Sequence, residues 1–341
     1  MTAVTAAATA AGTHAPGGDP LRARVVTLTP SPAIDRVYMI DAMRTETVNR
    51  ARHVRSFLAG KGVNVARNLR NAGARTAAVT TLSETDRHLA VEAGLYRIVA
   101  ANQPARVNTV VIADDGATTN FNEAPRPLSH AEWARLGDET IAALRELDAD
   151  WLVVAGSIPR RAEDGAALSP ASLIARARAL GARITLDSGG AAIAEWLDAG
   201  YSPDLVKPNV LELADATGRE LVTVGDAVDA ARDLVARGAR AVLASLGAAG
   251  AVLVTQHDVA WADSPRVEVV NTTGAGDAAL AGFLADSRRD GTGSSPVRAL
   301  RRAVAWGAQT VSTVDAVATT FPIPNGVRVG TPPLDLRLDA H

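Results

Sequence analysis

The chain has 341 residues, of which 47% are hydrophobic but only 4% aromatic, so its core must consist mainly of aliphatic side chains, as where helices pack on a sheet. It contains no cysteine, which excludes disulfides, thiolate zinc sites and cysteine nucleophiles. With 35 basic and 37 acidic residues, the net charge of −2 provides no general attraction to nucleic acid or to an anionic membrane. We therefore expect a small-molecule partner.

Residues 1–23 are rich in Ala, Thr, Gly and Pro. They lack the charged start and leucine-rich centre of a secretory signal, so we predict a disordered tail. The longest uncharged run, 241–257, is interrupted by Gly247 and Gly250 and predicts a strand, a turn and a strand instead of a membrane span. We predict a cytoplasmic protein.

From residue 24 onwards, short apolar runs alternate with helical patterns. Strands are predicted at 25–28, 77–80, 151–155, 184–186, 205–206 and 241–245, and helices at 63–71, 131–147 and 227–236. This alternation predicts an α/β fold with a mainly parallel sheet and helices on both faces. We predict one large domain over 24–324 and a loose C-terminal tail over 325–341.

Two regions, about 36–58 and 106–122, contain extended segments with no helix between them. Neighbouring parallel strands need long crossover connections, so these segments fit poorly into the main sheet. They predict a second, smaller sheet that lies over the main one as a lid.

The segment 267–277, Val-Glu-Val-Val-Asn-Thr-Thr-Gly-Ala-Gly-Asp, precedes an apolar helix. A strand, a Gly-X-Gly turn and a helix start bring several backbone amides to one point at the positive end of the helix, which predicts a phosphate site. Asp277 beside this site either complements the helix dipole or acts as a general base that accepts the proton of an attacking hydroxyl. We favour the base.

Gly274, Gly276 and Ala279 also match the dinucleotide-binding fingerprint of dehydrogenases. That fold places the turn after its first strand and an acidic residue about 20 positions later, at the end of the next strand. Here the turn comes late, and the next apolar segment, 297–311, has a helical pattern. The fingerprint therefore fits poorly.

Lys61 and Lys207 are the only lysines in a chain that otherwise uses arginine. A lysine ammonium is a compact charge that fits a phosphate oxygen in a narrow pocket; chance retention on the surface is the alternative. Lys61 lies in a Gly-Lys-Gly turn before a helix, where the backbone and the amide of Asn64 can approach a ligand. Gly62 stands where a P-loop has serine or threonine, so this is not a P-loop.

Lys207 precedes Pro208 at the predicted end of a strand, and Asn209 and Glu212 share one face of the next helix. Asn209 and Glu212 predict a capping box at the start of this helix. A functional interpretation is compatible with the cap: Lys207 would bind nucleotide phosphates, and Glu212 would organise a water-bound Mg²⁺.

Together, the motifs resemble those of the ribokinase-like, PfkB-type carbohydrate kinases. They are Thr-Pro-Ser-Pro-Ala-Ile-Asp (29–35), Gly-Lys-Gly-Val-Asn (60–64), Gly-Ser-Ile-Pro (156–159), Asp-Ser-Gly (187–189), Lys-Pro-Asn (207–209) with Glu212, Ser-Leu-Gly (245–247) and Thr-Gly-Ala-Gly-Asp (273–277). Lys61, Arg-Val-Asn (106–108) and Asn-Glu-Ala-Pro (122–125) resemble the branch that contains the 1-phosphofructokinases and tagatose-6-phosphate kinases.

The resemblance implies a role for each motif. Asp277 would accept the proton of the sugar hydroxyl, beside the turn formed by Gly274, Ala275 and Gly276, whose amides would stabilise the transferred phosphoryl group. The sugar phosphate would be bound by Asp35, Gly60, Lys61, Asn64, Arg106, Asn108 and Ser157. ATP would be bound by Lys207, Asn209, Glu212, Ser245, Gly247 and Gly250, with Glu212 reaching Mg²⁺ through water.

The resemblance thus implies ATP- and Mg²⁺-dependent phosphorylation of D-fructose 1-phosphate to fructose 1,6-bisphosphate, by a homodimer paired through the lid. The residues leave fructose 6-phosphate and tagatose 6-phosphate open as substrates. A non-catalytic sensor of sugar phosphate or nucleotide is the alternative of another class, and a dehydrogenase ranks third. The combination of Asp277 with both lysines favours an enzyme.

Overall fold

The computed structural model describes residues 23–290, 295–313, 315–321 and 326–339. The tail predicted for 1–23 lies outside them except for Ala23. Within the described residues, no helix has the length and apolar composition needed to cross a membrane.

The described residues form two sheets and the helices that surround them. The strands are β1 (Arg24–Thr29), β2 (Ala33–Ile40), β3 (His53–Ala59), β4 (Arg75–Leu82), β5 (Tyr96–Ala100), β6 (Arg106–Ala113), β7 (Thr118–Asn122), β8 (Trp151–Ala155), β9 (Arg183–Asp187), β10 (Leu205–Val206), β11 (Ala241–Ser245), β12 (Ala251–Thr255), β13 (Val259–Asp263) and β14 (Arg328–Gly330). The helices are α1 (Lys61–Asn71), α2 (His130–Leu147), α3 (Ala171–Ala179), α4 (Gly190–Asp198), α5 (Val210–Thr217), α6 (Val224–Ala236), α7 (Ala275–Leu284) and α8 (Pro296–Val311).

The main sheet has ten strands in the order β14-β13-β12-β11-β10-β9-β8-β1-β4-β5. The strands β11, β10, β9, β8, β1, β4 and β5 are parallel to one another. At the other edge, β12, β13 and β14 are added by antiparallel pairing. The predicted mainly parallel sheet is confirmed. Because parallel strands share one direction, their carboxyl ends meet at one edge of the sheet, where α/β proteins place their ligands.

Two apolar clusters form the core, one on each face of the main sheet. One cluster packs α2, α3, α4, α5 and α6 against the sheet, and the other packs α1, α7 and α8 against its opposite face. The central strand β8 is buried throughout, which explains its continuous run of apolar residues. Aliphatic side chains supply most of both clusters, as the composition predicts.

The second sheet has four strands in the order β3-β2-β6-β7. The lid strands predicted over 36–58 and 106–122 are confirmed as a sheet separate from the main one. β2 and β6 are parallel, from the pair Ala33 and Arg106 to the pair Ile40 and Ala113. The chain between them passes through the main sheet, which provides the long connection that a parallel pair needs.

Three strands of the main sheet, β5, β13 and β14, have no counterpart in the sequence prediction. β5 is an edge strand that pairs with β4. The C-terminal segment predicted to be loose over 325–341 contributes β14, which pairs with β13, and the backbone of Leu336 accepts a hydrogen bond from Val224. The prediction of a loose tail is therefore wrong for residues 328–336, because backbone pairing with an open sheet edge orders them without an apolar pattern.

The lid joins the main sheet beside a buried arginine. Arg67 of α1 donates a hydrogen bond of 2.6 Å to the backbone oxygen of Leu58, near the end of β3. It also lies 3.0 Å from the Tyr96 hydroxyl and 2.7 Å from a carboxylate oxygen of Glu92. Arg67 thus ties a lid strand, a helix and the edge strand β5 to one another.

We expect Arg67→Met to destabilise the protein by about 1–3 kcal/mol, because it leaves the buried Leu58 carbonyl without its hydrogen-bond donor and Glu92 without its ion pair. Urea unfolding measures the difference. Arg70→Met changes an exposed arginine of the same helix and should alter stability by less than about 0.5 kcal/mol. Equal stability of the two variants would contradict a structural role for Arg67.

Candidate active site

The Gly-Ala-Gly-Asp turn begins helix α7. Gly274 adopts a left-handed conformation with φ of 81°, and a Cβ atom there would lie 2.0 Å from the backbone oxygen of Ala316. Only glycine fits this close approach. The first amides of α7 have no partners within the helix and point outward at its positive end. The turn and helix start predicted from the sequence are therefore present and can accept an anion, but the strand predicted before them is not, because residues 264–272 form a loop.

The Gly-Lys-Gly turn begins helix α1 on the opposite side of the site. Gly60 has a φ of 140°, and Cβ atoms at Gly60 and Gly62 would lie 2.8 and 2.5 Å from side-chain atoms of Thr29. The two glycines therefore let the turn pack against the end of β1. Lys61, between them, is the first residue of α1 and points its ammonium group across the site.

Asn209 and Glu212 form the capping box at the start of α5. The Asn209 side chain accepts a hydrogen bond of 2.8 Å from the Glu212 backbone amide, and Glu212 accepts one of 3.0 Å from the Asn209 backbone amide. The other carboxylate oxygen of Glu212 is 2.6 Å from Nζ of Lys61. The capping and site interpretations of Glu212 are thus compatible in one conformation.

Both lysines converge on a carboxylate that the sequence analysis left without a role. Asp187, fully buried at the end of β9, places Oδ1 2.8 Å from Nζ of Lys61 and 3.5 Å from Nζ of Lys207. Burial lowers the pKa of Lys61, but the charges of Asp187 and Glu212 and the hydrogen bonds to them outweigh burial and raise it. Lys61 therefore stays charged.

Asp277 lies next to this cluster and is buried. Its Oδ2 accepts a hydrogen bond of 2.9 Å from the Asn64 side chain. Burial and the negative charge of Asp187 raise the pKa of Asp277 to about 7, against the opposing effects of Asn64 and the two lysines. A carboxyl group with this pKa can take up and release a proton near neutral pH.

The lid presents polar side chains towards the same edge of the sheet. Asn108 donates a hydrogen bond of 3.0 Å to Asp35 across β2 and β6. Burial raises the pKa of Asp35, which the hydrogen bond from Asn108 and the charge of Arg106 partly offset. Arg106 lies 3.3 Å from the Ser157 hydroxyl, in the loop after β8. Its Nε is buried and has no hydrogen-bond partner within the part of the chain that the structure describes.

Two cavities border these side chains. A small one of about 40 Å³ separates the inner face of the lid, including Asp35 and Phe57, from Thr273 in the loop before α7. A larger one of about 390 Å³ lies beside Ser157 and Ser188. Because the first cavity is bounded by the lid on one side and by Thr273 on the other, the lid lies over the anion-binding turn.

The predicted nucleotide-binding residues Ser245, Gly247 and Gly250 lie where β11 turns into β12. The backbone amide of Ser245 donates a hydrogen bond of 3.0 Å to Pro208, so this turn adjoins the Lys-Pro-Asn segment. A Cβ atom at Gly250 would lie 2.1 Å from the backbone oxygen of Ala262, whereas Gly247 faces open space. Gly250 thus shapes the turn, and Gly247 leaves room beside it.

The structure brings Lys61, Asn64, Lys207, Glu212 and Asp277 into one cluster. Arg106, Asn108, Asp35 and Ser157 form a second group at the lid. The sequence interpretation assigned Lys61 to the sugar phosphate and Lys207 to ATP; this division stays a prediction, because both ammonium groups contact the same oxygen of Asp187. The signal for Asp187 was its position in Asp-Ser-Gly at a strand end.

Comparison with known proteins identifies the family. Residues 29–323 match the model of the pfkB family of carbohydrate kinases. The chain belongs to this family. The resemblance inferred from the motifs is therefore confirmed.

Similar proteins include two 1-phosphofructokinases. That of Haloferax volcanii is 38% identical over 305 residues, which cover 87% of this chain and 92% of the relative. That of Rhodobacter capsulatus is 36% identical, over 76% of this chain and 83% of the relative. The phosphofructokinase-2 of Escherichia coli, solved in complex with potassium, superposes with a TM-score of 0.74 at 26% identity, over 86% of this chain and 94% of that one.

We expect the Asp277 carboxyl to titrate near pH 7 and not near the ordinary aspartate value of about 4, because burial and Asp187 oppose its ionisation. Carboxyl ¹³C NMR of aspartate-labelled protein measures the midpoint, and the missing signal in Asp277→Asn assigns it. Asn64→Ala removes the hydrogen bond that favours the charged form and should raise the midpoint further.

Asn71→Ala is the matched control, since Asn71 of the same helix bonds to Ala318 and not to Asp277. It should leave the midpoint unchanged. A midpoint that stays at the ordinary value in the unmodified protein would show that Asp277 is not held in the buried, charge-coupled state described above.

Proposed function

We propose that this protein transfers the terminal phosphoryl group of ATP to a hydroxyl of D-fructose 1-phosphate and forms fructose 1,6-bisphosphate. The observation that carries the proposal is the position of Asp277, a buried carboxyl with a raised pKa, between the amides that begin α7 and the ammonium groups of Lys61 and Lys207. The names of the 1-phosphofructokinase relatives support the choice of substrate.

Asp277 is proposed as the general base. As the oxygen of the sugar hydroxyl forms a bond to the terminal phosphorus, its proton passes to a carboxylate oxygen of Asp277, and the bond between that phosphorus and the oxygen retained by ADP breaks. The amides of Ala275 and Gly276 would stabilise the charge of the transferred group at the helix start. Asn64 holds the carboxylate in position through its bond to Oδ2.

The carboxylates of the site fit a hydrated Mg²⁺. Oδ2 of Asp187 is buried and has no hydrogen-bond partner among the described residues, and Glu212 also contacts the Lys61 ammonium group. Mg²⁺ usually keeps several waters and binds proteins through one or two carboxylates. When bound, the ion would neutralise charge on the phosphate oxygens. Glu212, through water, and Asp187 are the residues that would hold it.

Arg106 is the proposed contact to the phosphate already on the sugar. Its side chain lies beside Ser157 and within reach of the charge of Asp35, and its buried Nε is unpartnered. A buried donor without an acceptor is costly, so a ligand oxygen there would satisfy it. Asp35 and Asn108 would bind sugar hydroxyls next to it.

Dimerisation through the lid and a cytoplasmic location belong to the same proposal. Among the residues that the structure describes, no strand pairs with the outer edges of the lid strands β3 and β7, and Val54 and Phe121 on these strands are about half exposed. Unpaired edges of this kind are ready to pair with a second copy.

The test is to incubate the protein with ATP, Mg²⁺ and a panel of fructose, fructose 1-phosphate, fructose 6-phosphate and tagatose 6-phosphate, and to measure ADP. We expect the largest kcat/KM with fructose 1-phosphate. Asp277→Asn should lose about 10²-fold to 10⁴-fold in kcat, the usual contribution of a positioned base, while nucleotide binding by calorimetry is retained.

Three outcomes would count against the proposal. Nucleotide and sugar-phosphate binding without ADP formation would indicate the sensor. Equal kcat/KM with fructose and with fructose 1-phosphate would show that the protein does not recognise the phosphate already on the sugar. Near wild-type turnover by Asp277→Asn would return this residue to the role of a helix cap.

Arg106→Met should raise KM for the sugar phosphate about tenfold or more, because a charge-assisted contact to phosphate contributes roughly 1.5–3 kcal/mol. KM for ATP should stay within about twofold, since Arg106 lies on the lid, away from the Lys-Pro-Asn segment. Arg36→Met, at an exposed arginine of the neighbouring lid strand β2, is the control. An effect of Arg106→Met on ATP alone would contradict the assignment.

A further inference from the structure

Asp187 holds both lysines of the chain on one carboxylate oxygen. Oδ1 lies 2.8 Å from Nζ of Lys61, which begins α1, and 3.5 Å from Nζ of Lys207, which follows β10. We propose that Asp187 is a positioning residue that fixes these two ammonium groups relative to each other and to Asp277. This inference rests on the proposed function and on the roles that the family resemblance implies, in which Lys61 binds the sugar phosphate and Lys207 binds ATP.

The backbone around Asp187 is hydrogen-bonded to neighbouring segments of the sheet on both sides, which restricts where its carboxylate can lie. Asp187 pairs with Ala155 across β9 and β8, and its backbone oxygen accepts a hydrogen bond of 2.9 Å from Gly156. On the other side, the Lys207 amide donates one of 3.0 Å to Leu186. A lysine side chain, by contrast, has four flexible bonds along its stem and loses much entropy when fixed.

Lys207 depends on Asp187 more than Lys61 does. Among the ion pairs of the described residues, Lys207 pairs only with Asp187, whereas Lys61 also pairs with Glu212 at 2.6 Å. Lys207 is 3% exposed, so water can replace little of the interaction. Without the Asp187 charge, two neighbouring ammonium groups would repel each other, and Lys207 would lose its one ion pair within the described residues.

Space around Lys207 is also restricted. A Cβ atom at Gly276 would lie 3.1 Å from Nζ of Lys207, so this ammonium group lies directly against the turn that begins α7. A carboxylate that sets the position of Lys207 therefore also sets its distance from the amides proposed to stabilise the transferred phosphoryl group.

The composition of the chain makes the test direct. Because Lys61 and Lys207 are the only lysines, protein labelled with ¹³Cε-lysine shows two lysine side-chain signals, and Lys61→Arg or Lys207→Arg removes one of them for assignment. We expect Asp187→Asn to shift both signals. Glu212→Gln, the matched control, should shift the Lys61 signal and leave that of Lys207 in place.

If Asp187→Asn fails to fold, a second variant, Lys207→Met, tests the contact that the two lysines share. Lys207→Met keeps the carboxylate but leaves Oδ1 to a single cation, so the Lys61 signal should shift. An unchanged Lys61 signal in Lys207→Met, or a shift of only one signal in folded Asp187→Asn, would overturn the shared contact.

Kinetics separate positioning from a purely structural role. Asp187→Asn should lower kcat about tenfold or more, because the two lysines are no longer fixed beside the proposed phosphate sites. KM for ATP is not the deciding quantity, since Asp187 is also proposed to hold Mg²⁺. The acidic limb of the pH profile of kcat should move to lower pH, because Asp277 loses the negative neighbour that disfavours its ionisation. A fall in kcat with an unmoved acidic limb would contradict positioning.

The NMR arm uses the protein without substrates, so its result holds whether or not any sugar is phosphorylated. If the proposed function fails, every hexose phosphate gives no ADP while the two lysine signals still respond to Asp187→Asn. If the inference about Asp187 fails, the unmodified protein turns over normally and the lysine signals do not respond together.

Discussion

Buried charges must be paired, and the organisation of the site follows from this constraint. An isolated ion inside a protein costs several kcal/mol, so cations and anions at the carboxyl edge of the sheet have to share contacts. Lys61, Lys207, Asp187 and Glu212 do so within one cluster of opposite charges. Asp277, next to this cluster, cannot ionise as readily as an exposed aspartate, because burial and then the negative charge of Asp187 raise its pKa, while the two lysines oppose this shift. The carboxylate that pairs with the lysines therefore also contributes to the raised pKa of the proposed base.

The fold brings these groups together through strand order. Asp187 ends β9 and Lys207 follows the neighbouring parallel strand β10, whereas Lys61 begins α1, which packs beside α7 on one face of the sheet. The lid reaches the same edge because β2 and β6 continue from elements of the main sheet, and Arg67 ties the end of β3 to α1 and Tyr96. The Gly-Lys-Gly turn directly follows β3, so the lid continues without a break into the turn that carries Lys61.

Local patterns predicted much of this arrangement. The parallel strands, the lid, the capping box of Asn209 and Glu212 and the Gly-Ala-Gly-Asp turn each depend on neighbouring residues, so the sequence shows them directly. β14 has an exposed, short pattern, and no periodicity marks it. The contact of Lys61 with Asp187 spans 126 positions in the chain. Such a pair depends on strand order and on which face α1 covers, and neither is visible in the residues around Lys61 or Asp187.

The presence of lysine at positions 61 and 207, in a chain that otherwise uses arginine, has a geometric explanation. A guanidinium is a wide planar fork that binds a carboxylate best with two parallel bonds, so two arginines could not share a single oxygen of Asp187 in the way that two ammonium groups do. Lys207 has little room, since it lies against Gly276 and is almost fully buried. Arginine serves equally well on the surface, where only charge is needed. The two lysines remain where a compact cation is required by the packing, and both of these places lie at the proposed site of phosphoryl transfer.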